Sequence, residues 1–204
     1  HPVTLKVADP RQPVVLQAGL HAFPEGRGGG EREQMRQEIG RLAEQVDAQI
    51  LILDADMHMH AADHEPPRHV LEIARENEVW LVTGVTERDP ERPGTLYNTL
   101  LYHAPDGSLA LKHRKLVPTN HERLVWGQGD GEGLRAIESG IGRLGGLICW
   151  ENYMPLARFA LYESGVEIYI ASTADDGDNW QPTLIHIARE ARAGDAVLDD
   201  VEGV

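Results

Sequence analysis

The chain has 204 residues, 41% of them hydrophobic, enough to bury one sizeable core. Its 19 Lys and Arg stand against 33 Asp and Glu, a formal charge of -14, so a nucleic-acid or anionic-membrane surface would have to overcome its own repulsion. No run approaches the roughly 20 apolar residues of a membrane helix, and a lone cysteine excludes an internal disulfide.

The chain opens on His1 with no pattern of basic flank, apolar run and cleavage site, so it reads as processed or as a fragment, in a reducing cytoplasm. Val14-Val15-Leu16-Gln17-Ala18, between Pro13 and Gly19, reads as a buried strand, and Phe23 to Gly30 as a glycine-rich loop. Met35, Ile39, Leu42 and Val46 recur at helical steps, with Glu33, Gln37 and Glu44 on the opposite side, which predicts an amphipathic helix over Glu31 to Val46. A strand over Gln49 to Leu53, a helix over about His69 to Asn77 and a strand over Val79 to Val85 follow. Such alternation means α/β. Tyr97 to Tyr102 and Leu109 to His113 flank Ala104-Pro105-Asp106-Gly107, a turn that closes an antiparallel hairpin. The strand Leu144 to Ile148 runs into Cys149, and a helix starts near Pro155. Val166 to Ala171 is a further strand, and Pro182 to Arg192 a last helix. No internal repeat interrupts this pattern. One domain over residues 1–193 is expected, with an acidic, frayed tail over 194–204.

The strand that ends on Cys149 is where chemistry is expected. In Gly145-Gly146-Leu147-Ile148-Cys149-Trp150-Glu151-Asn152 a nucleophile at a strand end stands above the sheet, and backbone N–H groups just after it can point at a developing anion. The plainer alternative is that a free cysteine behaves as a small buried hydrophobe.

Two ordered motifs decide between these. Leu111-Lys112-His113-Arg114-Lys115-Leu116-Val117-Pro118-Thr119, followed by His121-Glu122-Arg123 and Gly127-Gln128-Gly129-Asp130-Gly131, resembles the central segment of nitrilases. Gly142 to Asn152 resembles their nucleophile motif. The resemblance runs from about Val79 to Arg192 and implies a nitrilase-like α-β-β-α sandwich, incomplete at the C-terminus. It implies hydrolysis of nitriles or amides through a covalent cysteine intermediate, with no cofactor and no metal, in a homo-oligomer. By the same resemblance Cys149 is the nucleophile and Lys115 the cation that stabilises negative charge on the substrate. Glu122 helps Lys115 and assists proton transfer. Trp150, through its backbone N–H, and Glu151 position the oxyanion or substrate. Taken alone, Lys115 would be read as a solvated charge after a hairpin.

One part departs from the family. Its general base is a glutamate in a Phe-Pro-Glu box at the end of the second strand; Phe23-Pro24-Glu25 is present here, but one strand-helix unit too early. Element order puts the expected position at about Ala55, flanked by Asp54 and Asp56, which strand alternation points the other way. Without a positioned base, turnover falls by about 10²–10⁴-fold, so a catalytically impaired binding or assembly protein is an alternative. Asp54-Ala55-Asp56-Met57-His58-Met59-His60, with Asp63 and His64, offers another: its two imidazoles resemble the opening motif of metal-dependent amidohydrolases, though a site requires three or four converging ligands. Histidines that titrate near neutrality also suit a plain polar loop.

Overall fold

Two sheets hold the strands of the computed structural model, which describes residues 4–6, 15–19, 50–54, 68–173 and 177–191. The first has six strands: β1 (Thr4–Lys6), β2 (Val15–Gly19), β3 (Ile50–Asp54), β4 (Trp80–Arg88), β5 (Leu96–His103) and β6 (Leu109–Arg114), in that order across the sheet. The β2, β3 and β4 strands run parallel, with helix α1 (Arg68–Glu76) as the crossover between the last two. From β4 onward the pairing is antiparallel. The strands β3 and β6 therefore run in the same direction and finish at the same end of the sheet. The second sheet has β7 (Ile137–Glu138), β8 (Arg143–Ile148) and β9 (Ile168–Ser172), with β8 and β9 parallel and joined through helix α2 (Pro155–Glu163). Helix α3 (Trp180–Ala191) follows.

Strand alternation explains how the sheets stack. Trp80, Val82, Leu100, Tyr102 and Leu111 of the first sheet share one core with Leu144, Ile148, Ile168 and Ile170 of the second. The intervening residues Leu147 and Tyr169 point the other way and pack against Ala157 and Leu161 of α2 and Trp180, Leu184 and Ile187 of α3. Each such Leu or Ile contributes about 1.5–3 kcal/mol of burial. The α1 helix packs on β4 with Ala74 fully buried. The result is the expected α-β-β-α layering. Gly146 is required by the close approach of β9: a Cβ there would fall on the carbonyl oxygen of Ile170, its register partner.

The observed elements lie within a few residues of those read from the sequence. The β4 strand continues to Arg88 rather than stopping at Val85, because β5 pairs with it as far as Leu96, and Glu87 finds side-chain partners on β6. The short strands β1 and β7 and two 3-10 helices, Asn120–Leu124 and Cys149–Tyr153, are additional to the elements expected from the sequence. The expected helix over Glu31 to Val46, the loop over Phe23 to Gly30 and the tail from Gly194 lie outside the described residues.

Candidate active site

Strand β6 sends alternate side chains to opposite faces of its sheet. Leu111 enters the core between the sheets, so His113 and Lys115 follow it inward while Lys112 and Arg114 turn outward. Lys115 is one residue beyond the strand but keeps the ladder, its N–H donating to Asn98 O at 2.8 Å. It is only 1% exposed, the opposite of a solvated charge. Its Nζ donates to Glu122 Oε2 at 2.7 Å, and the same oxygen accepts the Thr119 N–H at 2.6 Å. A buried ammonium is tolerated only with such a partner, because desolvation costs several kcal/mol per ion. Glu122 sits on the 3-10 helix Asn120–Leu124. The glycine-rich segment after it lies against β6: the Gly129 N–H donates to Lys115 O at 2.9 Å, and a Cβ at Gly129 would fall on the Arg114 carbonyl.

Cys149 stands where β8 gives way to the 3-10 helix Cys149–Tyr153. Its φ is +54°, a left-handed conformation rare outside glycine, and it is partly exposed. Strained backbone of this kind persists only where the surroundings hold it. Much of the holding comes from Glu151, whose carboxylate is sealed from solvent. One of its oxygens accepts from His113 Nε2 at 2.8 Å and from the Ile148 N–H at 2.9 Å, the other from the Leu116 N–H at 2.7 Å. A single carboxylate thus ties the residue after Lys115 to the residue before Cys149, across the two sheets. Asn152 is also buried: Nδ2 donates to Cys149 O at 2.8 Å and Leu147 O at 3.3 Å, and Oδ1 accepts from Tyr169 OH at 2.8 Å. Trp150 is 52% exposed, and its ring sits edge-on to Tyr153, with centroids 5.8 Å apart.

The outer face of β6 carries a second cluster. Arg114 grips Glu87 with two nitrogens, Nε at 2.9 Å and a terminal nitrogen at 2.7 Å, while Lys112 reaches it at 2.7 Å and Thr99 Oγ1 at 2.8 Å. Burial alone would push the Glu87 carboxyl up, but hydrogen bonds from Arg114, Lys112 and Thr99 outweigh it and hold the group at about 2.

Thus Lys115 and Glu122 meet directly, and Glu151 links their strand to that of Cys149. Glu151, expected with Trp150 to position the oxyanion or substrate, has its carboxylate engaged with His113 and the backbone N–H groups of Leu116 and Ile148. His113 and Asn152 were quoted only as members of motifs, and the spacing carried no signal of their partners. Glu25, Ala55, Asp56, His58, His60, Asp63 and His64 lie outside the described residues, and of Asp54 only the backbone is described. Among the described residues no three His, Cys, Asp or Glu side chains converge as metal ligands. Among them, too, no helix is long and apolar enough to cross a membrane.

Comparison with known proteins places this geometry. The carbon-nitrogen hydrolase family model matches residues 15–196. An aliphatic nitrilase of Sinorhizobium fredii is 42% identical over 182 residues, covering 89% of this chain and 58% of that protein. Nitrilase 1 of Arabidopsis thaliana is 42% identical over 177 residues, covering 85% of this chain and 49% of its own. The chain thus spans about half to three-fifths of the length of these relatives. Among solved structures, Saccharomyces cerevisiae Nit3, a member of branch 10 of the nitrilase superfamily, superposes with a TM-score of 0.68 at 20% identity, covering 79% of this chain and 66% of that one.

Proposed function

Because the chain belongs to the carbon-nitrogen hydrolase family, we propose that it hydrolyses a small nitrile or amide through a covalent intermediate on Cys149. The Cys149 sulfur adds to the nitrile carbon; one C–N π bond becomes N–H, the thiol proton ends on nitrogen, and a thioimidate forms. Water then displaces ammonia to leave a thioester, and a second water releases the carboxylic acid and the thiol. An amide joins the same path through a tetrahedral adduct that expels ammonia.

Negative charge develops on the substrate nitrogen or oxygen, and Lys115 with the backbone N–H of Trp150 stabilises it. Glu122 holds the ammonium and exchanges its proton. Glu151 acts at one remove, fixing the ends of β6 and β8 so that cation and thiol keep one spacing. A carboxylate has to activate the water, and Asp54, Asp56 and Glu25 are the candidates the sequence offers.

The observation that carries the reading is the pairing of a buried Lys115–Glu122 ion pair with a strand-end cysteine in a left-handed conformation, the two strands laced by one carboxylate. Ammonia release from a panel of aliphatic nitriles and amides, combined with mass spectrometry of the protein, tests it. The expected result is ammonia from the wild type, a mass increment on Cys149 during turnover and neither in Cys149→Ala. Undiminished ammonia from Cys149→Ala would sink the assignment. A lasting adduct without product would mean that the base is missing, and no adduct with any nitrile would leave a binding protein. The exposed side chains of Leu156 and Phe159 on α2 support a homo-oligomer in the same proposal; an unchanged sedimentation coefficient in Phe159→Glu would remove that face from it.

A further inference from the structure

The peptide that joins Cys149 to Trp150 is planar, so its C=O and its N–H point in opposite directions. The carbonyl oxygen accepts a hydrogen bond from Asn152 Nδ2 at 2.8 Å. Asn152 is fully buried, and the same Nδ2 reaches Leu147 O on β8 at 3.3 Å. The carbonyl is therefore turned into the protein body, and the Trp150 N–H is turned away from it. We infer that Asn152, backed by Tyr169, is the positioning residue that aims the Trp150 N–H at the anion developing on the substrate, an inference that rests on the cysteine-hydrolase reading above.

Chemistry fixes the orientation of the Asn152 amide. Its two carbonyl partners can only accept, so the nitrogen must face them, and the oxygen then faces Tyr169, whose hydroxyl donates at 2.8 Å. Tyr169 is itself sealed in the core on β9, and burial raises its hydroxyl pKa well above the usual phenol range, so it remains a donor. The backbone of residue 152 is held independently, its carbonyl accepting from Arg158 at 2.9 Å, while Arg158 Nε pairs with Glu190 of α3 at 2.8 Å. The residue is thus gripped from β8 and β9 through its amide and from α2 through its backbone. It does not touch the reacting atoms; it acts through one peptide plane.

A purely structural role is separable from an aiming role. Addition to a nitrile builds negative charge that the N–H must meet, whereas alkylation of the thiol by iodoacetamide displaces iodide from a saturated carbon and builds no such charge. The probes are propionitrile, followed by thioimidate formation on Cys149 and ammonia release, and iodoacetamide, followed by mass spectrometry. Asn152→Ala is expected to lower kcat and the rate of thioimidate formation by about 10²–10³-fold, the loss typical of one misplaced oxyanion donor. KM should move by less than about twofold and the alkylation rate by less than about threefold, because uniform binding and thiol access are retained. Tyr169→Phe, which keeps the packing, should slow addition by about 3–10-fold, the scale of one hydrogen bond, and should add nothing in the double variant because it acts through Asn152.

Wild-type thioimidate formation in Asn152→Ala, equal slowing of alkylation and addition, or additive losses in the double variant would each overturn the inference. If Asn152→Ala does not fold, Tyr169→Phe decides alone, with unchanged addition counting against it. Failure of the parent reading looks different: the wild type itself forms no Cys149 adduct, or Cys149→Ala still releases ammonia.

Discussion

Strand β6 and the residue that follows it carry four basic residues in succession, Lys112 to Lys115, and the two faces use them differently. On the inner face His113 and Lys115 meet Glu151 and Glu122 between the sheets, close to the end of β8. On the outer face Lys112 and Arg114 meet Glu87, backed by Thr99 and, for Arg114, by the Tyr97 ring at 4.1 Å. Both clusters neutralise buried charge, so burial and pairing alone do not mark a reactive site. What separates them is the neighbour: the inner pair is joined through one carboxylate to a partly exposed cysteine with a strained backbone, and the outer one to other strands of its own sheet and, through Arg114, to Asp130.

The contrast predicts that inner-face substitutions act on rate and outer-face substitutions on stability. The largest effect is expected at Lys115. Lys115→Met removes the cation proposed to meet the substrate anion and should cost at least about 10²–10³-fold in ammonia release. It also leaves Glu122 buried without its ammonium, so unfolding should be easier by about 3–5 kcal/mol, and activity must be compared per folded molecule at low temperature. Full turnover in the folded fraction would erase the distinction between the faces.

Next is acid stability, which belongs to the outer face. Glu87 ordinarily titrates near 4.5 and is held at about 2 in the folded chain. A depressed folded pKa means that stability is fully present above about 4.5 and is lost as the pH falls toward about 2. The difference of about 2.5 units corresponds to about 3 kcal/mol at neutral pH. Urea unfolding between pH 7 and 3 should therefore show a steeper loss for the wild type than for Glu87→Gln, with thioimidate formation at pH 7 unchanged in the variant while it is folded. Parallel stability profiles would show that Glu87 carries no such linkage.

How far the sequence foretold these two clusters depends on the range of their contacts. The longer strands and the α-helices from Arg68 onward are legible because hydrophobic periodicity, the turn at Ala104 to Gly107 and Pro155 at a helix start are local signals. The order of Lys115, Glu122 and Cys149 was legible as a family pattern. Burial of Lys115 was not, since a lysine after a hairpin is usually solvated, and only the Glu122 carboxylate makes the interior tolerable. The contacts of Glu151 and Asn152 are not legible for the same reason: their partners His113, Leu116 and Tyr169 lie 17 to 38 residues away in sequence. The end of β4 beyond Val85 carries no local signal, because its backbone pairs with β5 and Glu87 reaches Lys112 and Arg114 two strands away.

The smallest effect sharpens the outer face most. Lys112 and Arg114 both pair with Glu87, but Lys112 is a single contact with a side chain 39% exposed, whereas Arg114 offers a two-nitrogen fork and is 15% exposed. A half-exposed lysine pair contributes about 0–1 kcal/mol. Lys112→Ala should therefore lower stability by no more than that, because the fork of Arg114 and the hydroxyl of Thr99 continue to satisfy Glu87. Arg114→Lys keeps the charge but loses the fork and the stacking on Tyr97, so it should cost more, about 1–3 kcal/mol. Thermal unfolding of the two variants beside the wild type ranks them directly. An Arg114→Lys protein as stable as Lys112→Ala would mean that charge alone, not the planar fork, holds Glu87 ionised.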